Sequence, residues 1–156
     1  MTKPHFSPSL SACALALGAL CASAGTRAEL GGAMPAQLSS APATAAPRVL
    51  LNGALRMRTL TDAGNTTINE YATSTGQIVG YAWQGQTMPD LRSLLGRYAD
   101  SYLAGAATRA ADANLHSSRI ARPDVIVESG GPMRGYVGRA WLPAALPPGV
   151  TADDLQ

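Results

Sequence analysis

Two glutamates, Glu70 and Glu128, are the side chains of this 156-residue chain best suited by type to do chemistry. Each lies in a stretch that reads as a β-strand. Two carboxyls held about 5–10 Å apart across a cleft can act as acid and base, or acid and nucleophile, in glycosidic hydrolysis. The competing reading places each on the solvent face of a half-exposed strand. Ser129 precedes Gly130-Gly131, which suggests a nucleophile turn, but the residues before it are Val127-Glu128, not the Gly-x-Ser-x-Gly pattern. That elbow also needs a helix after the serine, and a strand is expected here. Ser129-Gly130-Gly131-Pro132 therefore reads as a hairpin turn. His116 sits in the polar stretch Asn114–Ser118 and reads as a solvated loop residue. No catalytic residue is assigned.

Other chemistries are excluded by count and spacing. The acids Asp62, Glu70, Asp90, Asp100, Asp112 and Asp124 are scattered, with no calcium-loop pattern. The glycines at 130, 131, 135 and 138 are not followed by a helix start, so neither phosphate-binding fingerprint is present. No metal and no cofactor is expected. One surface does invite recognition. Tyr136, Arg139 and Trp141 share the last strand candidate, and these three residue types dominate interface hot spots. If Trp141 and Arg139 share an exposed face, they form a candidate binding patch.

The amino-terminal residues narrow the field further. Lys3 precedes an apolar run from Leu10 to Ala22, which ends in small residues. That is the layout of an export signal over residues 1–28, and the run is too short to span a bilayer. Cleavage fits after Ala24 or after Ala28, and the second leaves the compact start Glu29-Leu30-Gly31-Gly32. A lipid on Cys13 or an uncleaved anchor are the competing readings. Removing the leader removes Cys13 and Cys21, the only cysteines, so disulfides and thiolate sites go with it. It leaves His116 as the sole histidine, which cannot build a zinc site. Lys3 and Arg27 leave too, taking the basic count from 12 to 10 against 10 acids. A chain so balanced is not expected to bind nucleic acid.

These side chains need elements to hold them. Residues 29–47, rich in Ala and Pro, read as a flexible tether, residues 48–146 as one domain, and 147–156 as a tail. Leu51, Leu55 and Met57 alternate with Arg56 and Arg58, so Val49–Leu60 reads as one half-buried strand. Thr66–Thr73 and Ile78–Trp83 follow after short turns, as an antiparallel meander. Thr87 reads as a helix N-cap with Asp90 completing a capping pair. Leu91, Leu94, Leu95, Tyr98 and Tyr102 then form one apolar stripe of a helix that fades near Ala110. Gly96 interrupts it, as a point of close packing against the sheet. Residues 111–122 read as loop; Val125–Glu128 and Met133–Leu142 close the domain. The expected fold is α+β: an antiparallel sheet of about five strands, in the order β-β-β-α-β-β, with one helix packed on one face.

Three strings are specific in combination: Pro89-Asp90-Leu91-Arg92-x-Leu94-Leu95-Gly96-Arg97-Tyr98, Val127-Glu128-Ser129-Gly130-Gly131-x-Met133-Arg134, and Gly138-Arg139-Ala140-Trp141-Leu142-Pro143. With the Glu29-Leu30-Gly31-Gly32 start, the chain resembles the exported proteobacterial family catalogued as domain of unknown function 2844. The resemblance implies a bacterial envelope or secreted protein and brings no catalytic residues. The expectation is a periplasmic or secreted, non-catalytic binding or assembly-accessory module. Its partner would be an envelope or secreted protein, and only its signal segment would meet the membrane. The alternative is a small carboxylate-dependent hydrolase using Glu70 and Glu128.

Overall fold

The computed structural model describes residues 28–35, 47–109, 117–131 and 135–156. Among these residues, seven strands form one antiparallel sheet: β1 (Arg48–Leu50), β2 (Leu55–Thr61), β3 (Thr67–Thr73), β4 (Ile78–Gly85), β5 (Ser117–Ala121), β6 (Ile126–Gly130) and β7 (Tyr136–Trp141). One helical segment separates β4 from β5. It comprises α1 (Leu91–Leu95), a 3-10 turn over Gly96–Tyr98, and α2 (Ala99–Ala107). The sheet order is β1-β2-β3-β4-β7-β6-β5. Two meanders therefore meet where β4 pairs with β7, Tyr81 opposite Ala140 and Trp83 opposite Gly138. The α+β class is as expected, and the sheet has two more strands than the expected five.

Both extra strands have a local cause. The expected single strand over residues 49–60 is a hairpin. Leu51, Asn52 and Gly53 all take positive φ, which reverses the chain and pairs Leu50 with Leu55. Asn-Gly is the strongest short hairpin signal, because the tight turn needs left-handed φ. The other extra strand, β5, lies within residues 111–122, whose sequence reads as loop. It is an edge strand on which only Ile120 is buried, so its sequence carries almost no apolar alternation.

Central position explains β4. Residues Ile78–Trp83 are all buried, because layers cover both faces there. The first layer is the helical segment. Leu94, Leu95 and Ala99 pack on Ile68, Ala72, Tyr81, Trp83, Val127 and Ala140, with Leu91, Tyr98 and Tyr102 at the margin, as their spacing predicts. Asp90 itself is the N-cap, accepting from the main-chain N–H of Arg92 and Ser93 at 3.1 and 3.2 Å. Thr87 is not a cap. It donates to the Gly64 carbonyl, and the Thr66 hydroxyl donates to its carbonyl, which ties the β2–β3 turn to the end of β4. Gly96 breaks the helix with φ of 52°, and a Cβ there would lie 2.1 Å from Glu29 Oε2. Its close neighbour is therefore the amino-terminal segment, not the sheet.

The two end segments are structural layers over part of their length. Leu30 is fully buried in the helix-side core. Its N–H donates to the Leu94 carbonyl, and those of Gly31 and Met34 donate to Ile78 and Gly76. The described start of the expected tether is thus docked; residues 36–46 lie outside the described residues. The expected tail covers the other face. Val150 and Leu155 pack on Leu55, Tyr71, Val79, Ala82 and Trp141. Among the described residues, no helix is long and apolar enough to cross a membrane.

Candidate functional site

Register decides which side chains meet. Arg119 on β5 stands opposite Glu128 on β6, and Glu128 stands opposite Arg139 on β7. Directly opposite residues on one face have their Cβ atoms about 5 Å apart, so the three form a charged ladder across three strands. Arg139 Nε donates to Glu128 Oε2 at 2.7 Å, and Arg119 Nη1 pairs with Glu128 Oε1. Arg139 also donates to the Ala152 carbonyl at 2.5 Å and to Asp153 Oδ1 at 3.2 Å, which fastens the carboxy-terminal segment to the ladder. Burial works against the Arg139 charge; Glu128 and Asp153 outweigh it and hold its pKa above the usual arginine value. Both guanidinium groups lie over the Trp141 ring, centred 5.8 and 5.4 Å from it. Cation–π contact of this kind, with the layer above, leaves Trp141 only 4% exposed.

A groove of about 940 Å³ opens beside this ladder, on the face away from the helix. Small or short side chains, Ala82, Gly130 and Val137, form its floor, and Asn69, Gln84, Ser117 and Arg119 contribute polar groups. Leu155 and Gln156 wall one side. The Gln156 main-chain oxygen accepts from Asn69 Nδ2 at 2.9 Å and from the Tyr71 hydroxyl, so that wall is held in place. Gly138 lies under the groove because the Trp83 indole fills the space beneath it: a Cβ there would approach Trp83 Cζ2 to 2.3 Å.

The residues singled out by type fall out as follows. Arg139 and Trp141 share this face, as two residues on one strand must. Trp141 is the buried base of the ladder, not an exposed anchor. Tyr136 is 45% exposed, but its odd spacing puts it on the opposite face, so it does not join the other two. Ser129 is within β6, opposite Gly138, so the hairpin turn begins later than expected. His116 lies outside the described residues. Among the described residues, no three His, Cys, Asp or Glu side chains converge as metal ligands would.

Glu70 and Glu128 do not converge. Glu70 stands opposite Tyr81, Tyr81 opposite Ala140, and Ala140 opposite Val127, so Glu70 shares its face with Val127. Glu128, one residue on, points to the other side of the sheet. The pair on which the alternative hydrolase reading rests is therefore not assembled: the sheet itself separates the two carboxyls. Glu70 is 1% exposed and is held by Arg58 Nη2 at 2.8 Å, with the Tyr81 hydroxyl at 3.5 Å. Desolvation raises its pKa, against the opposing pull of Arg58 and Tyr81. Burial and the neighbouring Glu70 charge likewise raise the Tyr81 pKa, so its hydroxyl stays a donor. Sequence reasoning missed the groove, Asn69, Gln84 and the Gln156 wall, because no local pattern marks where a carboxy-terminal segment docks.

Comparison with known proteins yields one family. The family model described as "Protein of unknown function (DUF2844)" matches residues 26–155. No curated protein and no solved structure matches the chain.

Proposed function

We propose that this chain, which belongs to the DUF2844 family, is an exported, non-catalytic binding or assembly-accessory module whose receiving surface is the groove beside the Arg119–Glu128–Arg139 ladder. The observation that carries this reading is the groove itself. It is about 940 Å³, open, and bordered by charges already locked to one another. A surface whose arginines and carboxyl are held before a partner arrives loses little side-chain entropy on binding. The same locking argues against acid–base work, since Glu128 is committed to two guanidinium groups. The partner in this reading is a periplasmic or secreted protein of the bacterial envelope. The near balance of basic and acidic residues in the processed chain speaks against nucleic acid.

The test is recovery of a partner from the protein's own periplasm, using an antibody raised against the untagged processed chain. One stoichiometric partner is expected. Val137→Arg, which fills an exposed part of the groove floor, should abolish that recovery while leaving the melting temperature within a few degrees. Leu103→Arg, an exposed residue on α2, should leave recovery intact. Repeated recovery of nothing stoichiometric, or recovery insensitive to Val137→Arg, would count against the groove as the receiving surface.

A further inference from the structure

Among the described residues the sheet ends at β5, with no strand beyond it. Which of its main-chain groups face that free edge follows from the turn joining β5 to β6. Arg122 N–H donates to the Val125 carbonyl at 2.9 Å, so these two residues are a hydrogen-bonded pair. Hydrogen-bonded and non-hydrogen-bonded pairs alternate along an antiparallel ladder. Ile120 and Ser118 therefore bond to β6, at Val127 and Ser129. Ser117, Arg119 and Ala121 turn their N–H and C=O groups outward. The Ser117 carbonyl agrees with this direction, because the Arg109 side chain reaches it at 2.9 Å. The helical segment covers the face of β5 and not its edge. A Cβ on Gly105 would lie 2.6 Å from Ile120 Cγ2, while Arg119 and Ala121 stay exposed.

The charges across the sheet indicate what chemistry would pair there. They alternate from the carboxy-terminal segment to the edge: Asp153, Arg139, Glu128, Arg119. Arg139 lies between two carboxyls, and Glu128 between two guanidinium groups. Arg119, the last, pairs with Glu128 through Nη1, and its side chain is 58% exposed. A residue opposite Arg119 on an added strand would share its face, with the two Cβ atoms about 5 Å apart. A carboxyl there continues the alternation; a lysine or arginine is repelled. A second copy of this chain offers no such carboxyl from either edge, since β5 reads Ser-Ser-Arg-Ile-Ala and β1 reads Arg-Val-Leu. A charge on an edge strand guards against self-pairing, and Arg119 does so while leaving the edge open to an acidic strand.

We propose that the β5 edge receives an extended segment of another protein by strand addition, with an Asp or Glu opposite Arg119 and main-chain bonds to Arg119 and Ala121. Ser117, Ser118 and Arg119 also border the groove, and experiment separates the two surfaces. A random heptapeptide library displayed on phage is selected against the untagged processed chain, held by its antibody. The enriched peptides should carry an Asp or Glu among β-branched residues. In a synthetic copy of one, replacing that acid by its amide should weaken binding about fivefold. Arg119→Gln should weaken the acidic peptide by the same factor and leave the amide version unchanged. Ala121→Pro removes an N–H that faces the edge and no bond to β6, so it should abolish binding with the melting temperature within a few degrees. Bound peptide should slow amide exchange at Arg119 and Ala121 by about tenfold. Selection that yields no peptide, or peptides with no acid enrichment, would overturn the proposal. Binding lost with Val137→Arg but indifferent to Arg119→Gln and Ala121→Pro would overturn the edge and leave the groove standing. Edge binding without any recovered periplasmic partner would uphold the edge and count against the groove.

Discussion

Glu70 is the residue whose environment departs furthest from what its type suggests. It is a carboxyl in the core, with Arg58 as its ion-pair partner, and desolvation outweighs that partner to raise its pKa. The sign follows from linkage. Below the unfolded value near 4.5, both states carry the proton; as pH rises, the unfolded chain releases it first, so folding stability falls until the folded group ionises too. Glu70→Gln, which keeps the shape and removes the ionisation, should therefore be as stable as the wild type or more so at pH 7. The gap should close below pH 4.5 in denaturant titrations. A variant clearly less stable at pH 7 would contradict this. Arg58→Ala is the opposite experiment. It leaves a buried carboxyl unpaired and should cost about 3–5 kcal/mol at pH 7. That Glu70 is a candidate was readable from the sequence; that it is a pin inside the core was not, because burial is a property of what packs over a strand.

At the scale of elements, the helical segment and its break are both accounted for. The apolar stripe from Leu91 to Tyr102 was legible from spacing alone, since a 3.6-residue period leaves few choices. The break at Gly96 was legible only as a glycine. Its cause is the Glu29 side chain lying against it and a φ that L-residues rarely adopt. Gly96→Ala should cost about 1–3 kcal/mol by chemical denaturation. The same substitution in a Glu29→Ala background should cost less, since the two nearest contacts, to the Glu29 carboxyl, are gone, and more than zero, since the contact with the Cβ of residue 29 and the positive φ remain. Equal costs in both backgrounds would mean that Glu29 and Gly96 are not coupled. The hairpin at Asn52-Gly53 was a local signal that the longer alternation of residues 49–60 concealed. Edge strand β5, with its one buried residue, offered no comparable signal.

At the scale of the molecule, segments near both ends act as covering layers. Leu30 closes the helix side, and Leu155 closes the other. Leu155 is 1% exposed, so Leu155→Ala should lower stability by about 2–5 kcal/mol. Because Leu155 and Gln156 also wall the groove, the same variant should weaken partner recovery even under conditions where it is fully folded. Intact recovery in a folded Leu155→Ala protein would detach the wall from binding. Taken alone, the sequence determined the α+β class, the meander, the helical stripe and, given removal of residues 1–28, the loss of thiol chemistry. Those conclusions depend on composition and on periods of two and 3.6 residues, which are local. The separation of Glu70 from Glu128, the burial of Trp141, the isolation of Tyr136 and the groove were decided only by tertiary structure. Alternation sets which residues of one strand share a face; which faces coincide across β3, β4, β7 and β6, and what covers them, depends on pairings between residues far apart in the chain.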